Sequence, residues 1–183
     1  MRLWMVRHAR PLVEPGTCYG QLDVPVDALH TAQTAQAVMQ ALPGSRLGAL
    51  RTSPLQRTRV LARDLGGRLG LCAEEDVRLA EMHFGSWEGV PWSRIPKSAV
   101  DAWTADFSNH AFGGQESTQQ VLDRVWAALQ EAREVGADQL WVTHAGVMRA
   151  VQHMLAVGAP VIGGADEWPR QAPGYGGWMA VDL

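Results

Sequence analysis

Two short apolar runs, one opening the chain and one late in it, each end in a histidine. The first is Arg2-Leu3-Trp4-Met5-Val6, followed at once by Arg7-His8; the second is Leu140-Trp141-Val142-Thr143, followed by His144. A continuous apolar run of this length reads as a strand buried on both faces, the pattern of a parallel sheet. The carboxyl ends of such strands open into the crevice where α/β sheets bind ligands. An isolated Arg-His pair is ordinarily solvated surface. Here later segments repeat the theme of a strand or turn that ends in a residue suited to phosphate.

The rest of the chain alternates strands and helices. After Arg10-Pro11 a Pro- and Gly-punctuated loop runs to Pro25, longer than most ordered connections and placed to close over a ligand at the first strand end. Asp27 caps a predicted helix to about Leu42, with Ala28, Ala32, Ala35, Met39 and Leu42 as its buried stripe and Pro43-Gly44 as its stop. Leu47 to Arg51 reads as a second strand. Ser53-Pro54 opens the next helix, with Ser as cap and Pro in the first turn; Arg57 lies near its start and Leu61, Leu65 and Leu69 form its buried face. Leu71 to Val77 is a third strand candidate. Residues 79 to 89 are irregular, and 90 to 115 mix Pro, Gly and Trp with short helical pieces. A helix from Glu116-Ser117-Thr118 to about Arg133 buries Val121, Leu122, Val125, Ala128, Leu129 and Ala132. A further helix spans 146 to 156, and 178 to 183 read as an edge strand. The expected fold class is α/β, a three-layer α/β/α sandwich on a mostly parallel sheet. A single domain over residues 1–183 is expected, with 90–115 as a helical and loop insertion.

At 183 residues the chain can bury a sizeable core, and 46% hydrophobic with 19% charged residues is ordinary for a globular protein. A net charge of −3 argues against a surface that coats nucleic acid. Two cysteines, Cys18 and Cys72, give no disulfide framework and fit a reducing compartment. No stretch approaches a membrane span or the apolar core of a signal peptide, so a cytoplasmic protein is expected. Of the eight tryptophans, Trp92, Trp103 and Trp168 lie in loop-rich stretches where an aromatic can line a pocket, although packing is the commoner role.

Two arginines, two histidines and helix N-termini at Arg57 and after His144 suit an anionic ligand, since free helix N–H groups and the guanidinium fork both match phosphoryl oxygens. Five ordered stretches resemble the histidine phosphatase superfamily, the phosphoglycerate mutase-like fold. They are Arg7-His8-Ala9, Ser53-Pro54-Leu55-Gln56-Arg57-Thr58, the segment Leu79 to Gly89, Gly113-Gly114-Gln115-Glu116-Ser117, and Thr143-His144-Ala145-Gly146-Val147. The resemblance implies that His8 is a nucleophile transiently phosphorylated, that Arg7, Arg57 and His144 bind the phosphoryl group, and that Glu81 donates the proton to the leaving oxygen. It implies Tyr19 and Gly20 in substrate binding, and no metal and no cofactor. The expected activity is hydrolysis of a small-molecule phosphate monoester. The Cys18-Tyr19-Gly20 and Asp23-Val24-Pro25 loop is similar to the branch with α-ribazole phosphatases, which makes α-ribazole 5′-phosphate a candidate substrate.

The chemistry is consistent with this assignment. A nucleophilic imidazole splits one slow hydrolysis into two steps and must be neutral to attack, which Arg7 and Arg57 favour by repelling a third positive charge. Glu81 sits among Leu79, Met82, Phe84 and Trp87, an apolar setting suited to a proton donor. Glu88 is the rival acid and reads as a structural tie. The chain departs from the family at Ala9, where Gly is usual, at Arg10-Pro11, where an acidic-Thr pair is common, and at the extra Gln115. Other readings are weaker. Arginines repel the cation that a metal hydrolase needs. Cys72 to Arg78 has the spacing of a cysteine phosphatase, but Glu74, Glu75 and Asp76 fill the loop. No Gly-x-Gly-x-x-Gly follows the first strand. A mutase, typically a longer chain, and a non-catalytic phospholigand-binding module on this fold are the alternatives.

Overall fold

The computed structural model describes residues 1–42 and 47–183. Five strands form one sheet among the described residues: β1 (Arg2–Arg7), β2 (Ala49–Thr52), β3 (Ala73–Glu75), β4 (Gln139–Thr143) and β5 (Trp178–Asp182). Their order is β3-β2-β4-β1-β5, parallel throughout except β5, which pairs antiparallel with β1. The apolar runs thus take the middle of the sheet. All five residues of β4 are buried, while β5 alternates exposed and half-buried positions at the edge.

Pleating sorts these side chains between two cores. Leu3, Met5 and Trp141 face α4 (Thr118–Val135) and α5 (Ala145–Val157). Val6, Leu50, Leu140 and Val142 face α1 (Ala28–Ala41) and α2 (Gln56–Leu69). The result is the expected three-layer α/β/α sandwich. A third, smaller core of Cys18, Ile95 and Phe112, with Trp87 and Trp103 against it, underlies the 90–115 segment and its helix α3 (Lys97–Ala105).

Several local expectations change. Asp27 does cap α1, its carboxylate accepting from the His30 N–H at 2.9 Å. The buried stripe is Thr31, Thr34, Ala35 and Val38, with Ala28 and Ala32 exposed. The small-residue repeat offered two possible faces, and Val38 selects the one against the sheet. The expected stop at Pro43-Gly44 lies outside the described residues. Helix α2 begins at Gln56 after Leu55, without a side-chain cap. The third strand shortens to three residues.

Helix α4 follows its pattern closely. Ser117 Oγ accepts from the Gln120 N–H, and the Gln120 side chain accepts from the Ser117 N–H, a reciprocal capping box. Ser117→Ala should therefore cost about 1 kcal/mol, read as a lower urea midpoint with an unchanged slope.

Candidate active site

The sheet order brings three strand ends together. The His8 N–H donates to the Thr143 carbonyl at 3.0 Å, one residue beyond the last registered pair, Arg7 with Thr143. The Ser53 N–H donates to the Val142 carbonyl at 3.2 Å. His144 is the N-cap of α5, and Arg57 is the second residue of α2. His8, Arg57, His144 and Ser53 are all buried. The His8 and His144 ring centroids lie 5.1 Å apart.

Hydrogen bonds set the state of each ring. His8 Nδ1 lies 2.7 Å from the Ala9 carbonyl. A carbonyl only accepts, so Nδ1 carries the proton and Nε2 keeps its lone pair. Burial holds the His8 imidazolium well below the usual range; Arg57 adds to this, the Ala9 bond opposes it, and Arg7 lowers it further. His144 is pushed down by burial first and then by Arg57, His8, Arg124 and Arg7. Burial thus outweighs the two arginines that the sequence brought to the fore. His144 Nε2 bonds Ser53 Oγ at 2.8 Å, while Nδ1 is buried with no partner among the described residues. Ser53, read as a helix cap, orients this histidine instead. Ala9 is buried, and among the described residues only glycines have a positive φ, so alanine fits there without strain.

The arginines are held by main-chain carbonyls. Arg57 donates to Leu22 at 2.9 Å and to Gly20 at 2.5 Å. Burial lowers it from its ordinary value, with Glu81 the largest opposing charge. Arg7 donates to the Pro173 carbonyl at 3.0 Å. A tyrosine covers each: Arg7 lies 4.2 Å from the Tyr175 ring centre and Arg57 5.0 Å from that of Tyr19. The two hydroxyls meet at 2.9 Å, forming a roof beside His8, whose ring is 5.6 Å from that of Tyr175. Tyr175 escaped sequence reading, because it sits in an aperiodic Gly- and Pro-rich loop.

Glu81 reaches the same place from an irregular segment. Its carboxylate accepts from the Gly146 N–H at 3.2 Å and the Met82 N–H at 3.0 Å. A Cβ on Gly146 would meet Glu81 Oε1, so glycine lets the carboxylate sit this close to the α5 N-terminus. Glu88 Oε1 accepts from the Gln21 N–H at 2.7 Å and the Phe84 N–H at 3.0 Å, which makes Glu88 the loop tie it was read as. Arg124, unnoticed in the sequence, donates to the carbonyls of Arg78, Ala80 and Glu81 and pairs with Glu116.

Two cavities meet at Glu81. One, of about 570 Å³, is lined by Arg7, Arg10, Tyr19, Gly20 and Tyr175, so the long 9–25 loop does lie over the first strand end. The other, of about 280 Å³, is lined by Trp92, Trp103 and Trp168 together, the three tryptophans placed in loops. Cys72 is exposed, and Arg78 is paired with Asp76 and Glu131, so the Cys-x5-Arg spacing has no counterpart in this site.

A parallel sheet presenting paired imidazoles and arginines at its carboxyl edge is the architecture of a phosphoryl-handling α/β enzyme. The chain belongs to the histidine phosphatase superfamily: the model of its branch 1 matches residues 3–164. It is 31% identical over 180 residues to a glucosyl-3-phosphoglycerate phosphatase of Mycolicibacterium vanbaalenii, covering 92% of this chain and 77% of that one. It is 28% identical over 157 residues to phosphoserine phosphatase 1 of Hydrogenobacter thermophilus, covering 82% and 74%. The solved native structure of a mycobacterial glucosyl-3-phosphoglycerate phosphatase superposes with a TM-score of 0.76 at 26% identity, covering 99% of this chain and 89% of that one. The protein is a phosphatase of this superfamily.

Two buried neutral histidines have a thermodynamic consequence. Below the ordinary imidazole value of about 6.5 the unfolded chain takes up protons that the folded one refuses. Stability should therefore fall as pH drops from about 6.5 toward the depressed folded values, at up to about 2.7 kcal/mol per pH unit for the pair. Urea midpoints between pH 5 and 7 should show a shallower dependence in His144→Gln than in wild type.

Proposed function

We propose that this protein hydrolyses a small-molecule phosphate monoester in two steps, through a phosphohistidine at His8 and without a metal ion. The observation that carries the reading is the His8 ring: buried, neutral, its Nδ1–H fixed on the Ala9 carbonyl, and flanked by Arg7 and Arg57. In the first step the Nε2 lone pair attacks phosphorus and the bond to the leaving oxygen breaks. Glu81 gives that oxygen its proton. In the second step water attacks the phosphohistidine, Glu81 takes its proton, and His8 is regenerated with release of phosphate. Arg7, Arg57, His144 and the α5 N-terminus stabilise charge on the transferring oxygens, a role in which a single donor is worth ~3–4 kcal/mol. With two arginines at the phosphoryl position the positive charge is supplied by the protein, so no cation is required. Tyr19 and Gly20 complete the phosphoryl side, and the 90–115 segment acts as an insertion that shapes the leaving-group side of a single catalytic domain. The 18–25 loop favours α-ribazole 5′-phosphate within a panel that also includes phosphoserine and glucosyl-3-phosphoglycerate.

Rapid quench with ³²P-labelled substrate should trap an acid-labile, base-stable label that His8→Ala abolishes and His144→Ala only slows. Turnover and label should both persist in excess EDTA. A label on His144, or turnover with no label under any quench, would overturn the scheme.

Glu81→Gln should lower turnover of alkyl phosphates by ~10²–10⁴. The loss should shrink for an aryl phosphate such as p-nitrophenyl phosphate, whose leaving group needs little protonation. Equal losses on both would assign the acid elsewhere.

A further inference from the structure

We propose that the aromatic cavity beside Glu81 holds the leaving group of the substrate, and that this group carries a planar aromatic ring on an alkyl alcohol. The inference rests on the phosphatase reading above. A group that protonates the leaving oxygen must come within about 2.6–3.2 Å of it, so the leaving group starts at Glu81. Both cavities touch Glu81, but they differ in chemistry. Phe84 and Trp92 line both, and the larger adds Arg7, Arg10 and Glu14. The smaller is walled by Phe84, Trp92, Trp103, Phe107 and Trp168.

These walls suit a flat ring. Phe84 meets Trp92 at 78° with centroids 5.7 Å apart, and Phe107 meets Trp168 at 63° and 5.9 Å. Edge-to-face walls present both electron-rich faces and electropositive edges to an aromatic guest. At about 280 Å³ the cavity lies near the lower limit for small-molecule pockets, roughly 300 Å³, which fits one or two fused rings. Trp92 is 40% exposed, so apolar surface there remains to be covered. A polyhydroxylated sugar acid would instead leave hydroxyls unpaired against indole and phenyl, at a cost. Two polar side chains besides Glu81 mark the cavity. Thr118 is almost fully buried and its hydroxyl has no hydrogen-bond partner among the described residues. Arg149 lines both cavities and has no carboxylate partner among the described residues. A cation at the junction favours a ring face.

The test uses primary alkyl phosphates, whose leaving groups are similarly basic: 2-(1-naphthyl)ethyl, 2-(quinolinyl)ethyl and 2-cyclohexylethyl phosphate, with glycerol 3-phosphate and 3-phosphoglycerate. The aryl members should exceed glycerol 3-phosphate in kcat/KM by about 100-fold or more, with cyclohexylethyl between. Trp168→Ala should collapse that ratio. A readout that needs neither turnover nor a variant is calorimetric titration of wild type with 2-(1-naphthyl)ethanol, which should bind and compete with the aryl phosphates. If glycerol 3-phosphate or 3-phosphoglycerate is preferred and naphthylethanol does not bind, the pocket assignment is overturned while the phosphatase reading stands. If naphthylethanol binds yet no phosphate monoester is turned over, the phosphatase reading fails instead, and the leaving-group role falls with it.

Discussion

The site depends on one parallel pairing, β1 against β4. Its register, Leu3 with Gln139 through Arg7 with Thr143, sets His8 beside His144 although the two lie at opposite ends of the sequence. Strand β4 pairs on its other side with β2, which delivers Ser53 to His144. A one-residue slip of β1 would send Leu3 and Met5 to the face of α1 and α2 and turn Val6 to the other. The two hydrophobic cores therefore enforce the register, and the register in turn fixes the distance between the imidazoles. Packing and chemistry are coupled through a handful of main-chain hydrogen bonds.

Charge is distributed unequally between two groups of arginines. Arg51 and Arg78 are matched by Asp76 and Glu131, a network that closes on itself at the β3 end of the sheet. Arg7 and Arg57 instead donate to main-chain carbonyls and form no ion pair among the described residues. Carbonyl dipoles satisfy guanidinium donors without cancelling the charge, so the field at the strand ends stays positive. That field, added to burial, keeps both histidines neutral. The arginine charge that adds to burial in resisting a proton on imidazole also favours phosphoryl oxygens.

Much of this was legible in the sequence. The apolar runs predict the buried strands because burial on both faces leaves no room for polar alternation. Helix α4 was legible from its start to its last buried alanine, since its apolar residues admit a single face. Helix α1 was placed correctly, but part of its buried stripe was not, because alanines and threonines at several spacings leave the buried face undetermined until the sheet chooses it. The short β3 is set by a partner strand, not by its own residues. The five ordered motifs located Arg7, His8, Arg57, Glu81 and His144, and the structure gathers all five. Arg124, Arg149 and Tyr175 carry no comparable local signal, and Ser53 lay within a motif but was read as a helix cap. Their importance comes from partners far away in the chain.

The segment bearing Glu81 shows how irregular backbone can be made rigid enough for chemistry. In the proposed scheme the Glu81 carboxyl gives a proton in one step and takes one in the next, so it must stand in one place for both, to within about half an ångström. No ladder of hydrogen bonds supplies that constraint here, because residues 80 to 84 belong to no strand or helix. Side chains from elsewhere supply it instead. Arg124 of α4 fastens the carbonyls of Arg78, Ala80 and Glu81. Glu116 accepts the His83 N–H and holds Arg124 in turn. Glu88 secures the Phe84 N–H and joins this segment to the loop that carries Tyr19. Beneath it, the Gly113 carbonyl accepts from Ser86, and Gly113 sits at φ +80° with no space for a Cβ against the Phe84 carbonyl. Glu88 has both neighbours' N–H groups on one oxygen and is committed to the loop, whereas Glu81 faces both cavities and the first turn of α5. The division of labour between the two carboxylates is therefore set by which backbone each one must hold in place.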